Sequence, residues 1–510
     1  MDEDLTICEY STDSLIESIA DGSPIGPAAD RKQHLSYFTK YFERLEAKTI
    51  LIEKGYIDRD FLEDFSAYYV RCFAQYEKVC KRLHFFDIKF SKETFEEYLE
   101  GSCGSGLAYE DLKKSYIGFV VVKPLPKTYI GRTCLKTYPK EAHRDFPPTR
   151  PYKVNLFGIE LTIESLAFQE QDSVVAACAT SALWSASHST GKRFHHVIPS
   201  PVEITRSATD KLPGETRVFP NEAGLTSAMM AKTIRDVGLE PYLALHIRAA
   251  QNNPEYEQWV KRTVYAYLSG GIPVILGIAL VRCHGGQHHH VGDHAVTIAG
   301  FSVGEAPGLV QDDAKTFFTA SRMEKLYVHD DQVGPFSRMR FDGVEIPGRT
   351  IGLNGMNLYS LDTSWGKNDA GSEAYRAIPR SLLIPLYHKI RIPYKEVHQK
   401  VDLLNSFLKE ALNMNLEWEV HLTTNNDFKA HARKAPVANN EVRRSVLLTR
   451  MPKFLWKAVA KHEGDLVTAS IFDATGIEQD KTFVCTLRYD HLLSKMICEM
   501  IGELSREYHL

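Results

Sequence analysis

The chain of 510 residues has no apolar run long enough to cross a bilayer: the longest, Ile272 to Val281 with Gly277 inside it, is about half the ~20 residues a membrane helix needs. A membrane-spanning protein is therefore not expected. Nor is there an excess of charge of either sign. Lys and Arg total 61 against 65 Asp and Glu, a net charge of −4, so no global field draws the chain to nucleic acid or to an anionic membrane surface. Paired cysteine spacing is missing too. Nine cysteines, an odd number scattered from Cys8 to Cys498, frame neither a disulfide scaffold nor a zinc ribbon, which predicts a reduced, cytoplasmic protein. The start, MDEDLTICEY, is acidic and lacks the basic and apolar segments of a secretory signal. No internal repeat, heptad array or low-complexity tract is present.

What is there is a chain too long for one hydrophobic core, so two or three domains are expected. We divide it into an N-terminal mixed α/β domain (1–150), a central domain (151–395) and a small C-terminal α/β domain (396–510). In the first, apolar spacing predicts helices through Leu35, Phe38, Tyr41, Phe42 and Leu45, and through Phe61 to Cys80. GFVVVKPLPKTYIGRTCLKTYP then reads as two strands joined by a turn. The prolines of HRDFPPTRPY mark the boundary. In the last domain a helix carrying Val401, Leu404, Phe407, Leu408 and Leu412 precedes the alternating strand LEWEVHLTT, followed by a helix-like PKFLWKAVA and a strand-like DLVTASIFDATG.

Chemistry concentrates in the middle. FQEQDSVVAACATSALWSASH places Cys178 at the head of a run of small residues and helix formers, where the free amides and dipole of a first helical turn stabilise a thiolate. Gln171 lies seven positions before the cysteine and Gln169 nine, and either amide could donate to a developing oxyanion. Downstream, GIPVILGIALV reads as a buried strand, CHGGQHHHVGD as a polar Gly-rich connection, and HAVTIAGF as a second strand beginning with His294. A third strand, EKLYVHDD, ends in Asp330 and Asp331. A carboxylate there would fix the imidazole tautomer so that the other ring nitrogen takes the thiol proton. Strand alternation points only one of the two inward, and we favour Asp330 with Asp331 as the alternative.

A helix-leading Cys178, a strand pair introducing Gly292-Asp293-His294-Ala295, and a strand closing on Asp330 resemble the papain-like superfamily of cysteine peptidases. The nearest likeness is to the bacterial branch that includes the bacteriocin-processing, double-glycine-leader peptidase domains. The resemblance covers about residues 155 to 345. It implies an α+β fold, with a Cys-led helix packed on an antiparallel sheet, flanked by the two mixed α/β domains. It also implies thiol acyl chemistry through Cys178 and His294, with a Gln assisting the oxyanion and an Asp orienting the His. The Gln171 interval is one residue longer than the family's usual one, and an insertion, SVGEAPGLVQDDAKTFFTASRM, separates the His and Asp strands.

Three rivals carry less. Cys103, in GSCGSG, is followed by Gly and Ser where a catalytic helix should begin. Cys283, His284, His288, His289 and His290 match no closed metal site and read as a solvated loop rimming the active site. LDTSWGKND, with Trp365 and Asp362, lies 71 residues beyond His294 and is set aside as coincidence, Asp362 being a reserve orienting residue. The expectation is thus a cysteine-dependent amide hydrolase, a peptidase or isopeptidase, working on a protein or peptide. It calls for no cofactor, metal, nucleic acid or membrane, and leaves room for a regulatory protein partner. The alternatives are a thiol deamidase or transamidase, and a catalytically silent papain-like scaffold or protein-binding module.

Overall fold

A computed structural model describes residues 5–21, 33–101, 108–140, 143–172, 174–209, 224–246, 253–305, 316–366, 374–477 and 481–507. Cys103 and residues 306–315 of the insertion lie outside them. The chain is mixed α/β and multidomain, with several sheets. Among the described residues, no helix is long and apolar enough to cross a membrane.

Five antiparallel strands, Leu5–Glu9, Thr49–Tyr56, Cys80–Phe86, Tyr116–Val122 and Ile130–Leu135, pair in chain order to form the N-terminal sheet. The helix Gln33–Arg44 buries Leu35, Phe38, Tyr41 and Phe42, the i, i+3, i+4 stripe expected of it, and Phe42 stacks on Phe85 of the sheet. The second expected helix is shorter than its apolar spacing suggests. It runs Arg59–Ala67, capped by Asp58, then gives way to a tight turn at Tyr69–Arg71, and Cys80 opens a strand. The aromatic run beyond residue 67 continues the periodicity by composition alone, and Tyr69 is drawn aside to bond Asp172.

The central sheet is antiparallel throughout, in the order Val274–His284, Gln287–Val303, Met323–Asp330, Gly334–Pro347, Asn357–Asp362, Ala374–Tyr387 and Leu239–His246. Ala374–Tyr387 also pairs with Val274–His284, so six of these strands close into a ring with Leu239–His246 on its flank. The largest apolar core fills this barrel and continues into the C-terminal unit. There, Glu417–Thr424, Phe454–His462, Asp465–Asp473 and Phe483–Arg488 form an antiparallel sheet, to which Phe317–Phe318 adds in parallel. The helix Tyr394–Leu412 packs Val397, Val401, Leu404 and Leu408 inward, as its spacing predicts.

Two sequence readings are corrected. Phe454–His462 is a strand, not a helix. Both of its faces are covered, so the alternation that would announce a strand is absent, and the real signal is the turn at Glu463 and Gly464, both at positive φ, joining His462 to Asp465. CHGGQHHHVGD is likewise no loop. The strands stay paired to Cys283 with His288 and His284 with Gln287, and Gly285 and Gly286, both at positive φ, make the two-residue turn.

Candidate active site

The segment before Cys178 is fixed from two sides. Phe168 pairs with Thr133, adding a short edge to the N-terminal sheet. Asp172 accepts from the amides of Val174 and Val175 at 2.8 and 3.0 Å, and from Tyr69 Oη at 2.5 Å. Thr205 Oγ1 donates to the Val175 carbonyl and meets Thr180 Oγ1 at 3.1 Å, and the Ala177 amide donates to Thr180 Oγ1. The helix Cys178–Phe194 then starts at the cysteine, and Ala177 at its N-cap has no oxygen to offer, so the first-turn amides carry no side-chain cap.

That helix lies on the strand Gln287–Val303. Thr297 Oγ1 donates to the Ala182 carbonyl at 2.6 Å, tying the helix, one turn past Cys178, to the strand three residues past His294. His294 is not the strand's first residue as expected; it sits mid-strand opposite Ile278, in register with its neighbour. Its Nε2 meets Asp330 Oδ1 at 3.0 Å, leaving Nδ1 for the sulfur. The Cys178 thiol is a hydrogen-bonding neighbour of the ring and helps to raise its pKa.

Both aspartates reach His294. Asp331 Oδ1 stands 3.5 Å from the same Nε2. The expectation that alternation would turn one away fails because the strand ends at Asp330, with a register shift between Val328 and Asp330. The two carboxylates differ in how they are satisfied. Asp330 accepts from His294, from the Gln332 amide at 3.1 Å and from Trp365 Nε1 at 2.7 Å. Asp331 receives Gln332 Nε2 on one oxygen, while the other is buried without a hydrogen bond.

Electrostatics follow from that difference. Burial alone would lower the His294 pKa, but the charges of Asp330 and Asp331 and the bonds to Asp330 and Cys178 raise it well above 6.5. Burial would raise Asp330, yet the charge of His294 and the bonds from His294, Trp365 and Gln332 hold it below 3.8. For Asp331 burial prevails, with Asp330 adding to it against His294, and the carboxyl is pushed up to about 6.

Trp365 is the residue the sequence reading missed. Its indole bonds Asp330 and its ring meets the His294 ring edge-on, centroids 5.3 Å apart. The signal was in view as Ser364-Trp365-Gly366 but was discounted for its distance along the chain. The strands Gly334–Pro347 and Asn357–Asp362 carry the chain round the barrel and back to the site. Asp362 does not serve as the reserve orienting residue; it pairs with Arg340 at 2.8 Å. Of the two glutamines, Gln169 is buried and Gln171 half-buried, and neither amide bonds the thiol.

No protein-family model matches the chain, and neither does any curated protein sequence. The site is therefore read from its own geometry.

Two groups bear on metal binding. His294, Asp330 and Asp331 offer ligand atoms within 4.8 Å of one another, the one such group among the described residues. Binding there would compete with the His294–Asp330 bond, since Nε2 and Oδ1 are the atoms already joined. In the Cys283–His290 ribbon, His288, His289 and His290 share the His294 strand: the Gly285–Gly286 turn lies roughly 24 Å along the ribbon from His294, while His290 meets Asp293, the residue before His294, at 3.3 Å. His289 meets Gln287 at 3.3 Å.

Proposed function

We propose that the chain is a cysteine-dependent amide hydrolase, a peptidase or isopeptidase with a papain-like central domain, in which Cys178 is the nucleophile, His294 the acid–base and Asp330 the orienting carboxylate. One observation carries the reading: a cysteine at an uncapped helix start adjoins a histidine whose far nitrogen is held by a buried, triply bonded aspartate. The likeness to papain-like peptidases rests on the Cys–His–Asp order together with the Cys-led helix against an antiparallel barrel. A reducing compartment such as the cytoplasm suits a nucleophilic thiol and the eight unbridged cysteines among the described residues.

In this mechanism the proton of Cys178 passes to His294 Nδ1, and the sulfur attacks the carbonyl carbon of an amide. The first-turn amides of the Cys178 helix stabilise the oxyanion, with Gln169 or Gln171 able to swing in as a further donor. His294 returns the proton to the departing amine. Water, deprotonated by His294, then attacks the thioester and frees the acid and the thiol. An amine in place of that water would make the same site a transamidase, and a glutamine side chain as substrate a deamidase.

The deciding experiment is alkylation of the native protein by iodoacetamide, the modified cysteine located by peptide mapping. Cys178 should label ahead of the other thiols and lose that advantage in His294→Ala. A Cys178 that labels no faster than its neighbours, or is indifferent to His294, would instead favour a silent, protein-binding version of the fold.

A further inference from the structure

A cavity of about 250 Å³ opens between the helix Gln33–Arg44 and the two loops that carry Asp331 and Trp365. Its lining includes Tyr37, Lys40, Arg44, Tyr138, Arg338 and Ser364. Two guanidinium groups converge on one ring there: Arg338 lies 4.8 Å and Arg44 6.0 Å from the Tyr138 centroid. They therefore stand no more than about 11 Å apart, close enough for one small oxyanion to reach both. No carboxylate pairs with either among the described residues, and Arg338 Nε is buried without a hydrogen bond. At Tyr138 the charges of Arg338 and Arg44 both act to lower the phenol's pKa against its burial.

The phenols are already spent. Tyr37 Oη donates to the Pro335 carbonyl at 2.6 Å, Tyr41 Oη to that of Lys136 at 2.7 Å, and the Tyr37 and Tyr138 hydroxyls share a bond of 3.2 Å. Recognition in this cavity falls chiefly to the cations, which favours an oxyanion that can accept from two arginine forks. The volume takes a phosphoryl group with a small organic body.

We propose that this cavity is a binding site for a small phosphate-bearing anion, held by Arg44 and Arg338. It stands apart from the reading of Cys178. Its walls are joined to the catalytic loops all the same: Gln33 Nε2 donates to the Ser364 carbonyl at 2.9 Å, beside Trp365, and His34 Nε2 to the Asp331 carbonyl at 2.8 Å. An occupant would thus brace both loops.

The test is calorimetric titration of the full chain with inorganic phosphate and with pyrophosphate, chloride-matched, on the wild type, Arg44→Gln and Arg338→Gln. Saturable binding, weakened about tenfold or more by Arg44→Gln, is expected. Arg44 is exposed at the helix end, so its replacement leaves the fold intact even if Arg338→Gln does not. The proposal is overturned if neither anion binds saturably, if both variants bind as the wild type does, or if malonate, titrated in parallel as a carboxylate control, binds in preference to phosphate.

Discussion

Trp365 Nε1 donates to one oxygen of Asp330 at 2.7 Å while His294 Nε2 holds the other at 3.0 Å, so a residue 71 positions downstream of the histidine sets the orientation of its carboxylate. A bond to a charged acceptor contributes about 1.5–3 kcal/mol, and if it acts on the imidazole's position its loss should slow thiol chemistry by roughly 10- to 100-fold. Trp365→Phe keeps most of the ring against His294 and removes the donor. Measured as the alkylation rate of Cys178, the loss should appear in the wild-type background and largely vanish in Asp330→Asn, where there is no carboxylate left to orient. Additive losses would mean that Trp365 acts only by packing.

Asp331 tells the opposite story. Its carboxyl is pushed up to about 6, against 3.8 when free, so burying it ionised costs stability at neutral pH. The cost is complete above about 6 and relieved as pH falls toward 3.8. Asp331→Asn should therefore be more stable than the wild type at about pH 8, by roughly 1–3 kcal/mol, with the difference fading toward about pH 4. Urea denaturation at the two pH values checks it. An Asp331→Asn chain less stable at alkaline pH would show that its attraction for His294 outweighs its burial.

How much of this was legible depends on whether the signal was local. The helix led by Cys178 and the strand ending in Asp330 are written in short stretches of local pattern and are where the sequence places them, while the His294 strand begins seven residues earlier than its apolar run shows. That both aspartates face His294 was not legible, because alternation lapses at a strand's end and the register shift before Asp330 leaves no mark in residue type. The Trp365 motif is visible in the sequence, but its place beside Asp330 depends on how six strands close, which no single segment encodes. Phe454–His462 was misread because a strand covered on both faces loses its period, and the ribbon at Cys283 because histidines resemble a loop in composition while two glycines at positive φ supply a turn.

His294 carries a stability prediction with the opposite dependence from an ordinary acid-stabilised pair. Its pKa is raised well above 6.5 in the fold, so its contribution is full below 6.5 and lost as pH rises through the raised value. Between those limits the folded protein holds a proton that the unfolded chain releases. The wild type should gain stability on moving from alkaline pH down to about 6.5, and His294→Gln should lose that part of the slope. Asp331 also titrates near 6, and losing His294 removes a charge that lowers its pKa, so the comparison belongs in the Asp331→Asn background, where that carboxyl is missing from both proteins. Equal slopes for the two proteins there would show that His294 is neutral in the fold.

Thr297 separates positioning from stability. Its hydroxyl bonds the Ala182 carbonyl at 2.6 Å, a direct polar link between the His294 strand and the Cys178 helix. Ala182 lies inside the helix, where its carbonyl keeps its backbone partner, so Thr297→Val removes one bond, adds no cavity and should cost only about 1 kcal/mol of stability. Its effect on chemistry should be larger in proportion, because a thiol and an imidazole held on different elements lose rate steeply when their separation drifts. The expected outcome is a near-wild-type melting profile with Cys178 alkylation slowed by about tenfold, the rate regained in Thr297→Ser, which restores the hydroxyl. A variant that melts early but labels at the wild-type rate would place Thr297 with the packing and leave the spacing of Cys178 and His294 to the barrel alone.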